Sequence, residues 1–412
     1  MKFDDYHFAP EIKRSLAKLN FRRPTDIQYK SIPHILKGED LLAIAQTGTG
    51  KTAAFAIPVI HHLHSRKLNQ RRPDGIKCLI MVPTRELAIQ ITDVIKTIAS
   101  GTRVKAYCIF GGVEQEAQIA RLQANIDILV VTPGRMFDLV SQGHLRLNRV
   151  EILVLDEADH MLDLGFIKDI RDLMRHIPKK RQTLFFSATI DEKIKKLAYS
   201  LVKKPIRIQI SPKDPVSKNV DHAVSFIEMD DKRFFLERFI KDHPDAKVLV
   251  FVRTKVRAER VQKAMTRVEV ESLTLHGGID QKDRLEILQK FKGTGISLLI
   301  ATDVTARGID IPNVNFVINY DLPEQAENYV HRIGRTGRGN QRGKAISFCS
   351  TDEKPLLSAI EDYVGYHITA DDIEKKTYQN IVELSDDSNL SLKELMKNTE
   401  ELLKSKKKKF KK

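Results

Sequence analysis

The stretch Ala45-Gln46-Thr47-Gly48-Thr49-Gly50-Lys51-Thr52 follows the short apolar run Leu41–Ala45 and precedes a helix-compatible run that begins at Ala53. A strand, a glycine-rich loop and a helix in this order form the setting that a phosphate-binding loop requires. The strict pattern for such a loop begins with glycine, whereas this stretch begins with Ala45. On this stretch alone, a glycine- and threonine-rich turn that contains a lysine stays an alternative.

If the stretch is a phosphate loop, its residues have separate tasks. Gly48 and Gly50 let the backbone curl so that successive N–H groups point at phosphate oxygens, and the following helix N-terminus adds a partial positive charge. Lys51 can reach the β- and γ-phosphates, and the Thr52 hydroxyl can ligate Mg²⁺. The stretch therefore predicts binding of a nucleoside triphosphate together with its metal ion.

The composition describes a globular protein of more than one domain. The chain has 412 residues, of which 42% are hydrophobic and 30% are charged, so two or three domains are expected. No apolar run is long enough to span a bilayer, and the first residues lack the apolar core of a signal peptide. The three cysteines, Cys78, Cys108 and Cys349, are far apart and show no metal-ligand spacing. We therefore expect a cytoplasmic protein without a membrane partner.

The chain is basic, with a formal net charge of +15 and a sequence isoelectric point near 9.5. The last nine residues, from Lys404 to Lys412, include seven lysines, and the rest of the chain is also positively charged. A polyanionic partner and a solvated basic surface explain this charge equally well. The lysine-rich end has too few apolar residues to fold, so we expect disorder there.

Apolar runs of strand length alternate with helix-like stretches in both halves of the chain. Most of these runs are continuously apolar, which is typical of strands buried on both faces of a parallel sheet. The runs are 41–45, 78–82, 104–109, 128–131, 152–155, 183–187, 248–252, 270–275, 298–301, 316–319 and 345–349. The alternation predicts an α/β fold with two tandem, doubly wound parallel-sheet domains.

The boundaries of these domains are predicted from composition. The stretch 211–218 holds two prolines, charges and serines without a periodic pattern, which indicates a linker. The first domain is then 1–210 and the second is 219–365. Residues 366–412 are expected to be helical at first and then disordered.

Two residues that precede the loop suit recognition of a base. The flat ring of Phe21 can stack on a base, and the amide of Gln28 can both donate to and accept from one base edge. The N6/N7 edge of adenine requires that combination. Taken alone, a core phenylalanine and a surface glutamine explain the same two residues.

Two carboxylates follow the apolar run Ile152–Leu155, in the sequence Asp156-Glu157-Ala158-Asp159. A carboxylate at the carboxyl end of a strand beside a phosphate loop lies where Mg²⁺ needs a ligand, and Asp156 suits that role. Glu157 is placed to orient and deprotonate an attacking water. An acidic helix N-cap is the alternative, although it does not explain two carboxylates directly after an apolar strand.

With these residues in view, the chain resembles the DEAD-box ATP-dependent RNA helicases of superfamily two, most of all their bacterial RhlE-type branch. Residues 21–28 are similar to the family's Q motif, with Phe3 as its upstream aromatic residue, and 45–52 are similar to its phosphate loop, where the initial alanine is usual. Asn20 stands where the family usually has glycine, which we expect to alter a turn slightly without touching a base contact. The resemblance runs from Phe3 to about Ser350 and implies two RecA-like domains.

The resemblance implies a complete ATP site. The residues implied to bind the nucleotide are Phe3, Phe21, Gln28, Ala45, Gln46, Thr47, Gly48, Thr49, Gly50, Lys51, Thr52 and Asp310. Asp310 is implied to contact the ribose. Mg²⁺ is implied at Thr52 and Asp156. The implied catalytic residues are Lys51, Glu157, Arg335 and Arg338. The two arginines are implied to reach across to the γ-phosphate as arginine fingers.

The resemblance also implies contacts to RNA on both domains. The residues implied to bind RNA are Pro83, Thr84, Arg85, Gly112, Thr132, Arg135, Arg253, Thr254, Gly277, Arg284, Thr302, Arg307 and Gly308. Small residues, hydroxyls and arginines suit sugar and phosphate better than base edges, so binding should be independent of sequence. A preference for RNA over DNA requires contacts to the 2′-hydroxyl and is implied by the resemblance alone. The residues implied to couple the domains are Ser187, Thr189, His331 and Arg332.

Three arginines lie on one glycine-punctuated segment, His331 to Arg338. Guanidinium groups spaced in this way can meet phosphate oxygens bidentately. Pairing with a carboxylate inside the protein is the alternative, and it suits one of the three.

These features together predict an enzyme that binds single-stranded RNA and locally unwinds duplex RNA. ATP and RNA should both favour closure of the two domains, so each should strengthen binding of the other. An ATP-gated RNA clamp, or an assembly platform with partner proteins of ribosome assembly or RNA decay, has the same motifs. A DNA helicase is a third possibility, against which the Q-motif-like stretch and Asp-Glu-Ala-Asp argue. We expect a monomer.

Overall fold

The structure is a computed structural model. The residues it describes are 2–46, 48–68, 75–210, 216–217, 219–293, 295–303, 314–337 and 342–385. The described residues up to 210 belong to one compact unit, and those from 216 onward belong to a second unit.

Seven parallel strands form the central sheet of the first unit. In chain order they are β1 (Leu41–Ile44), β2 (Cys78–Met81), β3 (Ala106–Ile109), β4 (Ile128–Val131), β5 (Ile152–Leu155), β6 (Gln182–Ser187) and β7 (Ile206–Gln209). Across the sheet their order is β3-β4-β2-β5-β6-β1-β7, and every neighbouring pair is parallel. The register places Leu41 between Leu184 and Ile206.

Helices cover both faces of this sheet, and four of its inner strands, β1, β2, β4 and β5, are apolar and buried at every position. Leu41 and Ala43 of β1 belong to one apolar cluster, whereas Leu42 and Ile44 belong to a second cluster on the other face. The helices are α1 (Pro10–Lys18), α2 (Asp26–Leu36), α3 (Lys51–Leu68), α4 (Arg85–Ile98), α5 (Gln115–Leu122), α6 (Pro133–Ser141), α7 (Ala158–Asp163), α8 (Ile167–His176) and α9 (Glu192–Leu201). Residues of α1–α4 pack in the first cluster and residues of α6–α9 in the second, which confirms a doubly wound fold.

Six parallel strands form the sheet of the second unit. They are β8 (Val220–Phe226), β9 (Val248–Val252), β10 (Leu273–Leu275), β11 (Leu298–Thr302), β12 (Phe316–Asn319) and β13 (Gly343–Cys349). Their order across the sheet is β10-β11-β9-β12-β13-β8. Every neighbouring pair is again parallel.

The helices described in the second unit follow the same alternation with strands. They are α10 (Lys232–Asp242), α11 (Lys255–Arg267), α12 (Gln281–Lys292), α13 (Ala326–Ile333), α14 (Lys354–Val364) and α15 (Lys375–Glu383). Apolar residues of α10 and α11 pack on β9, β11 and β12 in one cluster. In the part of the chain that the structure describes, no helix combines the length and apolarity needed to cross a membrane.

The second unit continues past residue 365. The Tyr378 ring of α15 packs on Phe235 of α10 with ring centroids 4.8 Å apart, and its hydroxyl donates to Asp231 at 2.7 Å. The Ser385 hydroxyl donates to the buried carboxylate of Glu237. The first part of the predicted tail is therefore a helix that packs on α10, whereas the lysine-rich stretch lies outside the described residues.

Candidate nucleotide and RNA sites

The strand order sorts the predicted motifs along one edge of the first sheet. In a parallel sheet every strand ends at the same edge, and ligands bind there. The neighbouring strands β5, β6 and β1 end at Asp156, at Ser187 and at the phosphate loop. The neighbouring strands β3, β4 and β2 end just before Gly111-Gly112, Thr132 and Pro83-Thr84. Predicted nucleotide residues and predicted RNA residues thus occupy adjacent halves of one edge.

The phosphate loop has the backbone shape that its glycines predict. Gly48 and Gly50 have φ angles of +82° and +91°, a region that suits glycine. Lys51, the first residue of α3, is 7% exposed, and its ammonium donates to the Ala45 carbonyl at 2.8 Å. A phosphate oxygen is a stronger acceptor than a neutral carbonyl, so this ammonium can be drawn from the loop to a nucleotide. Thr47 lies outside the described residues.

Gln28 connects the loop to α2. Its amide nitrogen donates to the Gly50 carbonyl at 3.1 Å, and its amide oxygen accepts the Thr25 N–H at 3.0 Å, which caps α2. A Cβ atom at residue 50 would collide with the Gln28 amide, so glycine is required there for space as well as for φ. Each end of an amide has room for one further hydrogen bond, so Gln28 can still meet a base edge. The structural contact to Gly50 was not predicted from the sequence.

A cavity of about 580 Å³ lies beside the predicted base-stacking residue. Its lining includes Phe21, Arg22, Phe3 and Lys13. Phe3 is buried, and its ring stacks on Phe21 with centroids 6.1 Å apart, so it supports that ring from within the fold. Asn20, expected only to alter a turn, also lines this cavity.

Asp156 is a buried carboxylate at the end of β5. It is 3% exposed, and burial raises its pKa to about 6, while the Lys51 ammonium opposes that rise. Its Oδ1 accepts the Glu157 N–H at 3.0 Å. Such a carboxylate gains from a cation, which fits the predicted magnesium ligand.

Glu157 has a left-handed backbone conformation, with φ +51° and ψ +49°. A non-glycine residue in this region is strained, and such strain often occurs at functional sites. Its carboxylate lies 3.4 Å from His160 Nδ1. The conformation sets the direction of the predicted general base, and nothing in the sequence pattern indicated it.

The described residues contain no group of three or more histidine, cysteine, aspartate or glutamate side chains that could hold a metal ion alone. Mg²⁺ often uses only one or two carboxylates together with substrate phosphates and waters. The site offers one buried carboxylate, Asp156, and the hydroxyl of Thr52 at the start of α3. This set of ligands fits Mg²⁺ that is bound together with a nucleotide, and it does not fit a metal ion held by protein groups alone.

Asp159 connects β5 to the end of β6. Its Oδ2 accepts the N–H groups of Ala188 and Thr189 at 2.9 and 3.0 Å. The Ser187 hydroxyl is buried and has no hydrogen-bond partner among the described residues. No role was predicted from the sequence for Asp159 of the Asp-Glu-Ala-Asp stretch. The feature that could have indicated a role is its position two residues after Glu157. In the structure the stretch that carries the predicted base is thus bonded through Asp159 to the backbone at Thr189, one of the predicted coupling residues.

Two predicted RNA residues of the first unit, Arg85 and Gly112, are in contact, and Arg135 bonds to the residue that follows Gly112. The Thr84 hydroxyl caps α4 by accepting the Leu87 N–H at 3.3 Å. The Arg85 guanidinium lies so close to Gly112, φ +79°, that a Cβ atom there would collide with it. Arg135 donates to the Val113 carbonyl at 3.0 Å, while its Nε and Nη1 have no partner among the described residues. Two guanidiniums therefore flank one glycine-rich turn.

The second sheet repeats this arrangement. Its neighbouring strands β10, β11 and β9 end at or just before Gly277, Thr302 and Arg253-Thr254. Gly277 is exposed, and nothing lies within 4 Å of a Cβ atom built there. Arg284 is in the first turn of α12, which follows β10.

Arg253 has a carboxylate partner within its own unit. It donates to Glu353 at 3.0 Å, and Glu353 also accepts from the buried Lys232 ammonium. Glu353 is therefore shared between a buried lysine and the predicted RNA-binding arginine. Thr254 caps α11 by accepting the Arg257 N–H at 3.1 Å.

Of the arginines in the segment from His331, Arg332 has the carboxylate pairing that the sequence left open. It is 1% exposed, and it donates bidentately to Asp303 at 2.5 and 2.7 Å and to the Asp321 carbonyl at 2.7 Å. These contacts lie within the second unit, so a coupling role for Arg332 would be indirect. Arg335 is also buried, and its Nε donates to the His331 carbonyl at 3.1 Å. The predicted residues outside the described part of the chain are Thr47, Arg307, Gly308, Asp310 and Arg338.

Family models match both units. Residues 25–197 match the DEAD/DEAH box helicase family, and residues 231–340 match the helicase conserved C-terminal domain. The chain is a DEAD-box helicase. Its Asp156-Glu157-Ala158-Asp159 stretch is the sequence that names the family.

Similar proteins agree with this family. The ATP-dependent RNA helicase RhlB of Shewanella frigidimarina is 42% identical over 91% of this chain and 87% of its own length. The ATP-dependent RNA helicase DbpA of Bacillus subtilis is 39% identical over 89% of this chain and 75% of its own length. A structure of S. cerevisiae Dbp5 bound to RNA and ADP BeF3 has a TM-score of 0.80 and 29% identity, and covers 92% of this chain and 99% of that one. This DEAD-box helicase is therefore an ATP-dependent RNA helicase, an enzyme that hydrolyses ATP.

Proposed function

We propose that this DEAD-box helicase binds single-stranded RNA without sequence preference and locally unwinds RNA duplexes, driven by ATP turnover in its first unit. The observation that carries the proposal is the contact of Asp159 with the backbone of Ala188 and Thr189. A residue two positions from the general base Glu157 is bonded to the segment predicted to couple hydrolysis to unwinding. A change at the γ-phosphate can therefore be passed directly to that segment.

The residues of the first unit divide the chemistry of hydrolysis among themselves. Backbone N–H groups of the loop and the Lys51 ammonium bind the phosphates. Mg²⁺ held by Thr52 and Asp156 would neutralise phosphate charge. Glu157 accepts the proton of the attacking water. Arg335 and Arg338 of the second unit are proposed to stabilise the transferring phosphoryl group, which makes hydrolysis depend on closure.

RNA is proposed to bind along the carboxyl edges of both sheets. Arg85 and Arg135 offer guanidiniums on the first unit, and Arg253 and Thr254 occupy the matching edge of the second. Such groups bind sugar and phosphate, which favours binding independent of sequence. The structure of Dbp5 contains both RNA and ADP BeF3, and we infer the same pair of ligands for this chain.

The decisive variant is Asp159→Ala, which leaves Glu157 in place but removes the acceptor of two partly buried N–H groups. We expect unwinding of a short RNA duplex to fall at least tenfold more than RNA-stimulated ATP hydrolysis, because about 1–3 kcal/mol of hydrogen bonding is lost at the coupling segment. Strand displacement and phosphate release are measured on the same protein.

Glu157→Gln is the matched variant. It keeps the shape of the side chain but accepts no proton, so hydrolysis and unwinding should both stop while ATP-dependent RNA binding persists. If Asp159→Ala lowered unwinding and hydrolysis by the same factor, Asp159 would have no coupling role. Hydrolysis near the wild-type rate by Glu157→Gln would remove Glu157 as the base.

The second candidate function is an ATP-gated RNA clamp in ribosome assembly or RNA decay. Arg332, buried on Asp303, favours a rigid second unit that would serve either role. A clamp would show long-lived ATP-dependent RNA binding and slow product release instead of repeated duplex separation. The RhlE-like branch, the monomeric state and the cytoplasmic location stay predictions.

A further inference from the structure

A groove of about 340 Å³ is lined by residues of α10 and α11 in the second unit, and none of its lining residues is a candidate nucleotide residue. Half of its lining residues are basic, and we call it the basic groove: Arg233, Arg257, Arg260, Lys263, Arg267, Asp230, Met229, Val261, Ala264 and Tyr320. Five of these ten residues are cationic and one is acidic. A concentration of one sign of charge in a cleft attracts polyanions.

Two of the cations are available for a ligand. Arg257 is already paired with Asp321 at 3.5 Å, and its guanidinium lies over the Tyr320 ring at 5.3 Å. By contrast, Arg260 and Lys263 are exposed, and no ion pair or hydrogen bond of their side chains exists among the described residues. The nearby Glu259 lies 3.6 Å from His276. Arg260 and Lys263 therefore carry uncompensated charge at the mouth of the groove.

The spacing of the cations along α11 suits a chain of phosphates. Arg260, Lys263 and Arg267 are three and four residues apart, so they lie on one face of the helix. At about 1.5 Å per residue the stripe is roughly 10 Å long, so it spans more than one phosphate of a nucleic-acid strand. The apolar floor offers no anchor for a peptide, because Tyr320, Val261 and Ala264 are themselves buried.

The groove is also continuous with the predicted RNA edge. α11 begins at Lys255, directly after Arg253 and after Thr254, whose hydroxyl caps the helix. We propose that the basic groove binds the sugar–phosphate backbone of RNA that continues beyond the tract held at the sheet edge. This inference rests on the proposed RNA contacts of Arg253 and Thr254, and it adds a binding site outside the motifs.

The test compares two RNAs on the full chain: the shortest single strand that gives full ATPase stimulation, and one about three times as long. RNA affinity is measured across a salt series for Arg260→Gln/Lys263→Gln. Loss of two phosphate contacts should make the log–log salt slope for the long RNA shallower by about 1.4, which is about 0.7 for each contact. Affinity for the short RNA and its ATPase stimulation should stay within twofold of wild type.

Lys179→Gln/Lys180→Gln is the matched control. It removes the same charge from exposed residues just before β6, at the opposite edge of the first sheet. Equal slopes for the two double variants on the long RNA would overturn the proposal. Equal slopes together with loss of poly-glutamate binding only in the groove variant would assign the groove to an acidic protein instead. Absence of ATPase stimulation by single-stranded RNA of any length in wild type would refute the proposed function, whereas the difference in salt slope between the two double variants on the long RNA would still test the groove.

Discussion

Asp156 is a buried carboxylate that lowers the stability of the ligand-free protein, and its predicted role is to bind Mg²⁺. Its carboxylate is buried at the end of β5, and burial raises its pKa from 3.8 to about 6 although Lys51 lies close enough to oppose the rise. The unfolded chain therefore loses this proton at a lower pH than the folded chain does. Below about pH 4 Asp156 is protonated in both states and does not change the free energy of unfolding. Above about pH 6 it is charged in both states, and its burial lowers the free energy of unfolding by the full amount.

Asp156→Asn should therefore stabilise the ligand-free protein while abolishing ATP hydrolysis. We expect a gain of about 3 kcal/mol at pH 7.5, since the pKa rises from 3.8 to about 6 and one pKa unit corresponds to about 1.4 kcal/mol. The gain should shrink as the pH falls from 6 toward 4. Denaturant unfolding without nucleotide or Mg²⁺, at several pH values, measures it.

The control for this variant is Asp138→Asn on α6, where an exposed carboxylate should change stability by less than about 0.5 kcal/mol. A lower stability of Asp156→Asn at pH 7.5, or a gain that does not vary with pH, would contradict the cost assigned to the buried charge.

At the residue scale the sequence predicted where in the fold the candidate residues lie, but it did not predict which groups hold them. Asp156 and Glu157 were predicted from two carboxylates after an apolar strand. The contact of Asp159 with Ala188 and Thr189 depends on β6 lying next to β5, which no local pattern encodes. Whether Arg332 pairs with a phosphate or with a carboxylate could also be decided only from the fold, because its carboxylate partner, Asp303, is 29 residues away in the sequence.

At the element scale, the strands that the sequence missed are β7 and β8. Both lie at the edge of a sheet, where only one neighbouring strand is present. Both strands mix apolar and polar residues and are buried at only some positions, as in the run Ile206–Gln209, so they lack the continuous apolar pattern that revealed the inner strands. Pattern reading therefore found the inner strands and one edge strand of each sheet, β3 and β10, and missed the other edge.

The end of α1 shows how a departure from the family pattern is accommodated. Asn20 has φ +58°, and the turn keeps both bonds of a Schellman motif, from Phe21 N–H to Leu16 and from Asn20 N–H to Ala17. Asparagine tolerates this left-handed conformation better than most residues with a side chain. The substitution therefore leaves the backbone that carries Phe21 in place.

Asn20→Ala should destabilise the protein by about 1 kcal/mol, because alanine lacks the tolerance of asparagine for a positive φ. Asn20→Gly should be as stable as wild type or more stable, by up to about 0.5 kcal/mol. Thermal unfolding followed by circular dichroism measures both changes.

Lys18→Ala, an exposed substitution within α1, is the control and should change stability by only a few tenths of a kcal/mol. If Asn20→Ala and Lys18→Ala had the same stability, the left-handed turn would not be the source of the effect.

At the scale of the whole molecule, the two sheets place their predicted RNA residues in the same way. Each places its predicted RNA residues at the ends of three neighbouring strands, β3, β4 and β2 in one unit and β10, β11 and β9 in the other. The two parallel sheets followed from the alternation of apolar runs and helices. The grouping of the motifs did not, since it depends on a strand order that crossover connections can realise in several ways.

ATP and RNA should therefore strengthen each other's binding, because the proposed contacts of each ligand involve both units. A shared closed state gives a coupling of about 1–3 kcal/mol, or roughly 5–150-fold in affinity, and the factor must be the same in both directions. RNA affinity is measured with a non-hydrolysable ATP analogue and with ADP, and analogue affinity is measured with and without saturating RNA.

Arg338→Lys provides the internal comparison, because lysine keeps the charge but loses the planar fork that a γ-phosphate needs. The variant should bind RNA without nucleotide as wild type does, yet lose most of the coupling. Equal RNA affinity of wild type with the analogue and with ADP would mean that the two ligands share no closed state. An Arg338→Lys variant with full coupling would place the γ-phosphate contact on Arg335 alone, since closure would then not need the second guanidinium.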